Sequence, residues 1–200
     1  MILSEDKKDI MKLGEGLTPN ILKEINFNSS IKEVGHSFHG PFEAKLVDKF
    51  MAADSNFTEA EETRSIEDIK YKGNYINIKF GFDKKGNPNI CSMHRLFDYF
   101  ESGKIDSYYI LSIDAKGPEY HLFNVYDYLD YTNFNYGTGQ LMLKDLKFKE
   151  VYTFNDESRR LTKSETILKM ADMFKEAYDR HILLKTKQQK KIEEVASAYK

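Results

Sequence analysis

The stretch Ser65-Ile66-Glu67-Asp68-Ile69-Lys70-Tyr71-Lys72-Gly73-Asn74-Tyr75-Ile76-Asn77-Ile78-Lys79-Phe80 decides how this chain folds. Ser65 to Tyr71 is short and β-compatible, Lys72-Gly73-Asn74 suits a turn, and Tyr75 to Phe82 alternates, with Ile76, Ile78 and Phe80 on one side. A period of two broken by turn residues predicts a β-hairpin. Successive side chains on a strand point to opposite faces, so Asn77 and Lys79 share the face that Ile78 does not. The turn brings Asp68, eleven residues before Lys79, alongside both.

A carboxylate on one strand facing Asn77-Ile78-Lys79 on the next is the skeleton of a metal-dependent phosphodiesterase. Asp68 offers Mg2+ a hard oxygen, and position 77 offers a second. Lys79 can position water, help deprotonate it, and neutralise charge developing on phosphate. The same letters also fit a solvated edge hairpin, because lysine is common here: of 30 Lys and Arg, only Arg64, Arg95, Arg159, Arg160 and Arg180 are arginine. The hairpin by itself does not choose between the two.

Toward the N-terminus, Phe42, Leu46, Val47, Phe50 and Met51 form a helical stripe starting just after Gly40-Pro41. Ile10, Leu13 and Leu17 mark a helix or partly ordered arm, closed by Gly14, Gly16 and the Thr18-Pro19-Asn20 turn. Residues 52–64, polar and acidic, read as a loop. Toward the C-terminus, residues 83–89 form a loop, and Ser92 can cap a helix carrying Met93, Leu96, Phe97 and Phe100, ended by Gly103. Tyr108 to Ile113 is a continuous apolar run, the mark of a buried central strand.

His121 to Leu129 and Asn133 to Leu143 are further strands, the second interrupted at Gly137-Thr138-Gly139-Gln140. Thr162-Lys163-Ser164-Glu165 is a capping box. Behind it Ile167, Leu168, Ala171, Phe174, Ala177, Tyr178, Ile182, Leu183, Ile192 and Val195 carry an apolar stripe nearly to the end. The expected fold class is α/β, a mixed α+β arrangement around one sheet flanked by helices. It forms a single domain over 1–200, with an arm at 1–35, a core at 36–155 and a long helix at 160–198.

Composition narrows the function. With 31% charged and 40% hydrophobic residues the chain is neither disordered nor membranous. No apolar run approaches the roughly 18 residues of a membrane span, and the N-terminus has no signal-peptide pattern. The single Cys91 excludes a disulfide scaffold and a Cys-based zinc cluster, and fits a reducing cytoplasm. His36, His39, His94, His121 and His181 lack zinc spacing. Ser92 lacks the Gly-x-Ser-x-Gly context, and Gly137-x-Gly139 lacks the third glycine of a dinucleotide loop, so no organic cofactor is expected. Tyr126, Tyr128, Tyr131 and Tyr136 suit base stacking as well as strand alternation. The net charge of −2 argues against a protein that coats nucleic acid, yet it averages acidic stretches at 59–68 and 156–157 with a basic one at 180–191.

The order of motifs adds what no single one supplies. The chain runs Gly40-Pro41-Phe42-Glu43, Leu46 and Phe50, then Ile66-Glu67-Asp68, then Asn77-Ile78-Lys79. Pro88-Asn89-Ile90-Cys91-Ser92 and Asn135-Tyr136-Gly137-Thr138-Gly139-Gln140-Leu141 follow. This colinear set, from about His36 to Leu143, resembles the PD-(D/E)XK type II restriction endonucleases, among them the blunt-cutting HincII, SwaI and EcoRV type. The resemblance implies a restriction endonuclease-like fold and a Mg2+- or Mn2+-dependent, site-specific nuclease of a bacterial cytoplasm. Its substrate would be palindromic double-stranded DNA, cut by a homodimer.

Residue by residue, the resemblance makes Glu43 the acid on the helix before the core, bordering the metal site. Asp68 is the metal ligand, with Glu67 where a Pro or small residue often stands, and Lys79 is the catalytic lysine. Asn87, Asn89 and Ser92 belong to a segment that runs along DNA beside the cut, and Gly137, Thr138, Gly139 and Gln140 to a loop that reads base edges. Gln and Asn there suit adenine. Arg180, Lys185, Lys187, Lys190 and Lys191 would anchor phosphates, against the plain alternative of a solvated helix face.

Asn77 departs from the pattern, which wants Asp or Glu there. An amide oxygen is a weaker, neutral ligand. Three explanations stay open: Glu43 or Glu67 supplies the missing charge, the chain carries an Asp→Asn change made to trap uncut DNA, or it is a catalytically inactive DNA-binding protein. A non-nucleic-acid α/β enzyme is the reading from outside this class, and it entails no DNA affinity at low salt.

Overall fold

Along the chain come α1 (Ser4–Glu24), α2 (His36–Ala53), β1 (Phe57–Glu59), β2 (Ile69–Tyr71), β3 (Asn74–Gly81), β4 (Asn89–Ser92) and α3 (Met93–Glu101). Then follow β5 (Tyr108–Asp114), β6 (Tyr120–Asn124), a 3-10 turn (Val125–Tyr131), β7 (Thr132–Asn135), β8 (Gln140–Leu143) and α4 (Lys163–Ala198). The computed structural model describes residues 1–27, 36–60, 66–81, 89–114, 120–143 and 161–198.

Alternation on β3 and β5 builds two apolar layers. Ile76, Ile78 and Phe80 of β3 and Tyr109, Leu111 and Ile113 of β5 point to one side, where α1 and α2 cover them. Tyr75, Tyr108 and Ile110 point to the other, under α3, α4 and β4, β7 and β8. Both faces being covered explains why the run at 108–113 is apolar at every position but Ser112, which is itself buried. The main sheet has the order β1-β2-β3-β5-β6 and is mixed: β3 and β5 are parallel, the other neighbours antiparallel. The hairpin turn narrows to Lys72 and Gly73, with φ of 47° and 76°, the doubly left-handed pair that matches strand twist.

Several expectations change. Among the described residues there are two sheets rather than one: β4, β8 and β7 form a separate antiparallel sheet, which brings Ile90, Phe134 and Leu141 over the far face of β3 and β5. The Thr18-Pro19-Asn20 turn is absent, because α1 runs straight through it. Thr18 Oγ1 donates to the Gly14 carbonyl at 3.0 Å, and buried Ile10 and Ile21 hold the helix on the core, so packing overrides the local signal. Gly14 lets α1 approach β6, since a Cβ there would stand 2.5 Å from the Tyr120 ring. α2 begins at His36, ahead of Pro41. As the sixth helical residue Pro41 removes one backbone bond early in the helix, and the stripe Phe42, Leu46 and Phe50 is fully buried all the same.

The 52–64 loop contains an edge strand, β1, because Phe57 is drawn onto the core by stacking on Phe50 at 4.7 Å. The strand expected from His121 to Leu129 stops at Asn124. The Asn124 side chain accepts from the Tyr108 and Tyr126 amides at 3.2 and 3.4 Å and turns the chain. Tyr126 and Tyr128 are therefore core residues rather than base-stacking ones, while Tyr136 is exposed.

The capping boxes hold as read. Ser92 accepts from Arg95 N, and Thr162 and Glu165 bond reciprocally. The stripe on α4 does not pack to the end. Thr166, Met170 and Ala177 are buried, but Leu168, Ile182, Leu183, Leu184, Ile192 and Val195 are more than half exposed. A stripe tells which side of a helix is apolar, not whether anything lies beneath it. No helix among the described residues is long and apolar enough to cross a membrane.

Candidate functional site

β2 pairs with β3 only as far as Ile69 opposite Ile76, and Asp68 N–H donates one last ladder bond to Ile76 O at 2.9 Å. Amides two residues apart face the same edge, so those of Ile78 and Phe80 point to where β2 no longer runs. Side chains take the place of the strand. Asp68 Oδ2 accepts from Ile78 N–H at 2.6 Å, and the Glu43 carboxylate accepts from the Phe80 backbone N–H. Phe42 stacks on Phe80 at 3.9 Å, which seats α2 so that the next residue, Glu43, reaches the edge.

Electrostatics ties these groups to Lys79. Burial pushes the Glu43 carboxyl up to about 7, the Lys79 charge works against that rise, and the Asp68 charge adds to it. Asp68 is raised as well, by burial first, with Lys79 and the Ile78 amide opposing and Glu67 adding to the rise. Desolvated carboxyls that share one field favour a bound cation. Glu67 is itself buried.

Asn77 turns inward. Its Nδ2 donates to the Ile66 carbonyl at 3.0 Å, while its Oδ1 is buried without a hydrogen-bond partner, and the residue is 7% exposed. The oxygens on offer to a hard cation along this strand are those of Glu43, the Asp68 oxygen not bonded to Ile78, and the orphaned amide oxygen of Asn77. Among the described residues no group of three or more His, Cys, Asp and Glu gathers as a cage. Mg2+ needs only one or two carboxylates and keeps several waters, so the donors present fit it.

Neither a family model nor a curated protein matches this chain. The site therefore rests on its own geometry.

The residues expected to touch DNA fall into two places. Asn89 and Ser92 lie on β4, a strand where the sequence suggests loop, and pair with Met142 and Gln140 of β8. Met93 N–H also donates to Gly139 O at 3.1 Å. Two segments far apart in sequence thus share one small sheet. Its tip carries exposed Gly137 and Thr138, and Asn135 Oδ1 accepts from Gly137 N–H at 3.0 Å. Gly139 has φ of 68°, where a side chain would be strained. Tyr136 stacks on His181 at 4.0 Å, fastening the tip to α4. Asn87 lies outside the described residues.

Lys187, Lys190 and Lys191 are exposed on α4, with Arg180, Lys187 and Lys191 aligned at helical spacing. The small sheet lies against β3 and the 66–68 segment, since Ile90, Cys91 and Leu141 share one core cluster with Ile66 and Tyr75. Sequence reasoning missed Tyr108. Its hydroxyl donates a short hydrogen bond to the same Ile66 carbonyl that Asn77 holds, and a tyrosine inside an apolar run gives no polar signal.

Proposed function

We propose that this chain is a Mg2+- or Mn2+-dependent endonuclease of the PD-(D/E)XK restriction type, cutting palindromic double-stranded DNA site-specifically as a homodimer in a bacterial cytoplasm. The observation that carries the reading is a convergence at one strand edge. Glu43 from α2, Asp68 from just before β2 and Lys79 from β3 act on one another's charge there, and Asn77 of the same strand keeps a buried amide oxygen with no partner. A mixed sheet flanked by helices, with the acid-bearing helix ahead of it, supports the same reading.

The reaction is in-line attack of water on a phosphodiester, with the P–O bond to the leaving oxygen breaking. When bound, Mg2+ or Mn2+ supplies a Lewis acid for phosphate and water of lowered pKa. Asp68, Glu43 and Asn77 Oδ1 would hold it. Glu43, which titrates near neutrality, gives up its proton as positive charge arrives. Lys79 orients the water and offsets charge growing on the phosphate. Gln140 and the 137–139 tip, with Asn89 and Ser92 beside them, are the base-reading surface, and Lys187, Lys190 and Lys191 the phosphate anchors. One site per chain cuts one strand, so a palindrome calls for a second copy.

Incubation with mixed-sequence duplex DNA and either metal tests this. Discrete fragments from the wild type and none from Lys79→Ala support it; intact DNA at low salt in both metals overturns it. The amide at position 77 favours a second reading, a protein of this type that binds DNA without cleaving. A retarded duplex that stays whole selects that one.

A further inference from the structure

Tyr108 is fully buried at the start of β5, where packing alone would be served by phenylalanine. A buried phenol without a partner is costly, so what its hydroxyl does matters. It donates to the Ile66 carbonyl, which also accepts from Asn77 Nδ2 at 3.0 Å. Both lone pairs of that carbonyl are then filled. Behind the phenol, the Cys91 thiol is also hydrogen bonded to the Tyr108 hydroxyl.

Ile66 precedes Asp68 by two residues, and the segment 66–68 lies outside β2, which starts at Ile69. It is held by pins instead. Asp68 N–H bonds Ile76 O, Asp68 Oδ2 takes the Ile78 amide, and Ile66 O takes Asn77. Those three pins come from successive residues of β3 and fix the segment along one line. The Tyr108 hydroxyl comes from β5 and is the pin that reaches across the sheet, so it resists rotation about that line.

We infer that Tyr108 is a positioning residue for the carboxylate of Asp68, acting through the Ile66 carbonyl, with Cys91 orienting its hydroxyl from behind. The inference rests on the metal-dependent reading of the β3 edge. The oxygen that Asp68 leaves free is presented to a hard cation only while this segment is held.

The test is Mn2+ titration of the full chain, following free Mn2+ by electron paramagnetic resonance, together with melting in metal-free buffer. Tyr108→Phe keeps the ring and is expected to weaken Mn2+ binding roughly tenfold, the usual scale for losing a partner of a metal ligand. Tyr126→Phe is the control, because Tyr126 is buried in the same layer and its hydroxyl has no partner; it should leave Mn2+ affinity unchanged. Cys91→Ser keeps a hydrogen-bonding partner for the phenol and should retain affinity, whereas Cys91→Ala should lower it. Tyr108→Phe that melts earlier yet binds Mn2+ as tightly as wild type overturns the inference and leaves the metal site standing. If Tyr108→Phe does not fold, equal affinity in Cys91→Ala and Cys91→Ser overturns it. No Mn2+ binding by the wild type overturns the metal reading and this inference with it.

Discussion

Between Asn74 and Ile76 one edge of β3 is satisfied by a neighbouring strand; between Ile78 and Phe80 the same edge is satisfied by two carboxylates. The backbone need is identical in both halves, since every buried N–H requires an acceptor. The consequences differ. A strand answers with neutral carbonyls, which add stability and no reactivity. Side chains answer with charge, which burial then pushes toward neutrality at physiological pH. The edge becomes chemically useful where pairing stops.

The largest effect should come from the unpaired half. Asp68→Asn keeps an acceptor for the Ile78 amide and removes the charge, so DNA cleavage should fall by about a thousandfold or more with melting temperature preserved. Cleavage at the wild-type rate would reduce Asp68 to a strand cap. Next comes the paired half. Ile76→Ala empties a fully buried position and should cost about 2–4 kcal/mol in denaturant unfolding, with kcat/KM of the folded protein unchanged. A loss of turnover there would erase the division between the halves.

Glu43→Gln separates them by pH. The folded carboxyl titrates at about 7 against an ordinary 4.5, so between those values the native state holds a proton that the unfolded chain has released. Wild-type stability therefore falls as pH rises through this window, and the neutral variant escapes the fall. It should be the more stable protein by about 2 kcal/mol at pH 8 and equal to wild type near pH 4; matching unfolding midpoints at both pH values would contradict the raised carboxyl. The smallest effect belongs to the turn that starts the paired half. Gly73→Ala, at φ 76°, should cost about 1 kcal/mol and leave cleavage untouched.

What the sequence made legible is what depends on neighbours in the chain. Ile76, Ile78 and Phe80 announced β3, the run at 108–113 announced β5, and Thr162 and Glu165 announced the start of α4. Asp68 and Lys79 could be paired because a two-residue turn fixes their separation. Features that depend on distant neighbours were hidden. Pro19 stays helical because Gly14 lets α1 settle on Tyr120, and β4 is a strand because β8 meets it. Asn77 as a donor to Ile66 and Tyr108 as its second donor need three separated segments brought into contact. No local pattern encodes that meeting.

From Ala177, its last buried residue, α4 extends to Ala198, a reach of about 30 Å at the rise of a helix. Such a rod is a lever. A tilt of about ten degrees at its root would sweep the far end through roughly 5 Å. The fulcrum is not bare: the His181 ring lies on Tyr136 at the tip of the small sheet. A rod of that length, fastened beside its root to the β7–β8 tip, has its heading set where the small sheet ends.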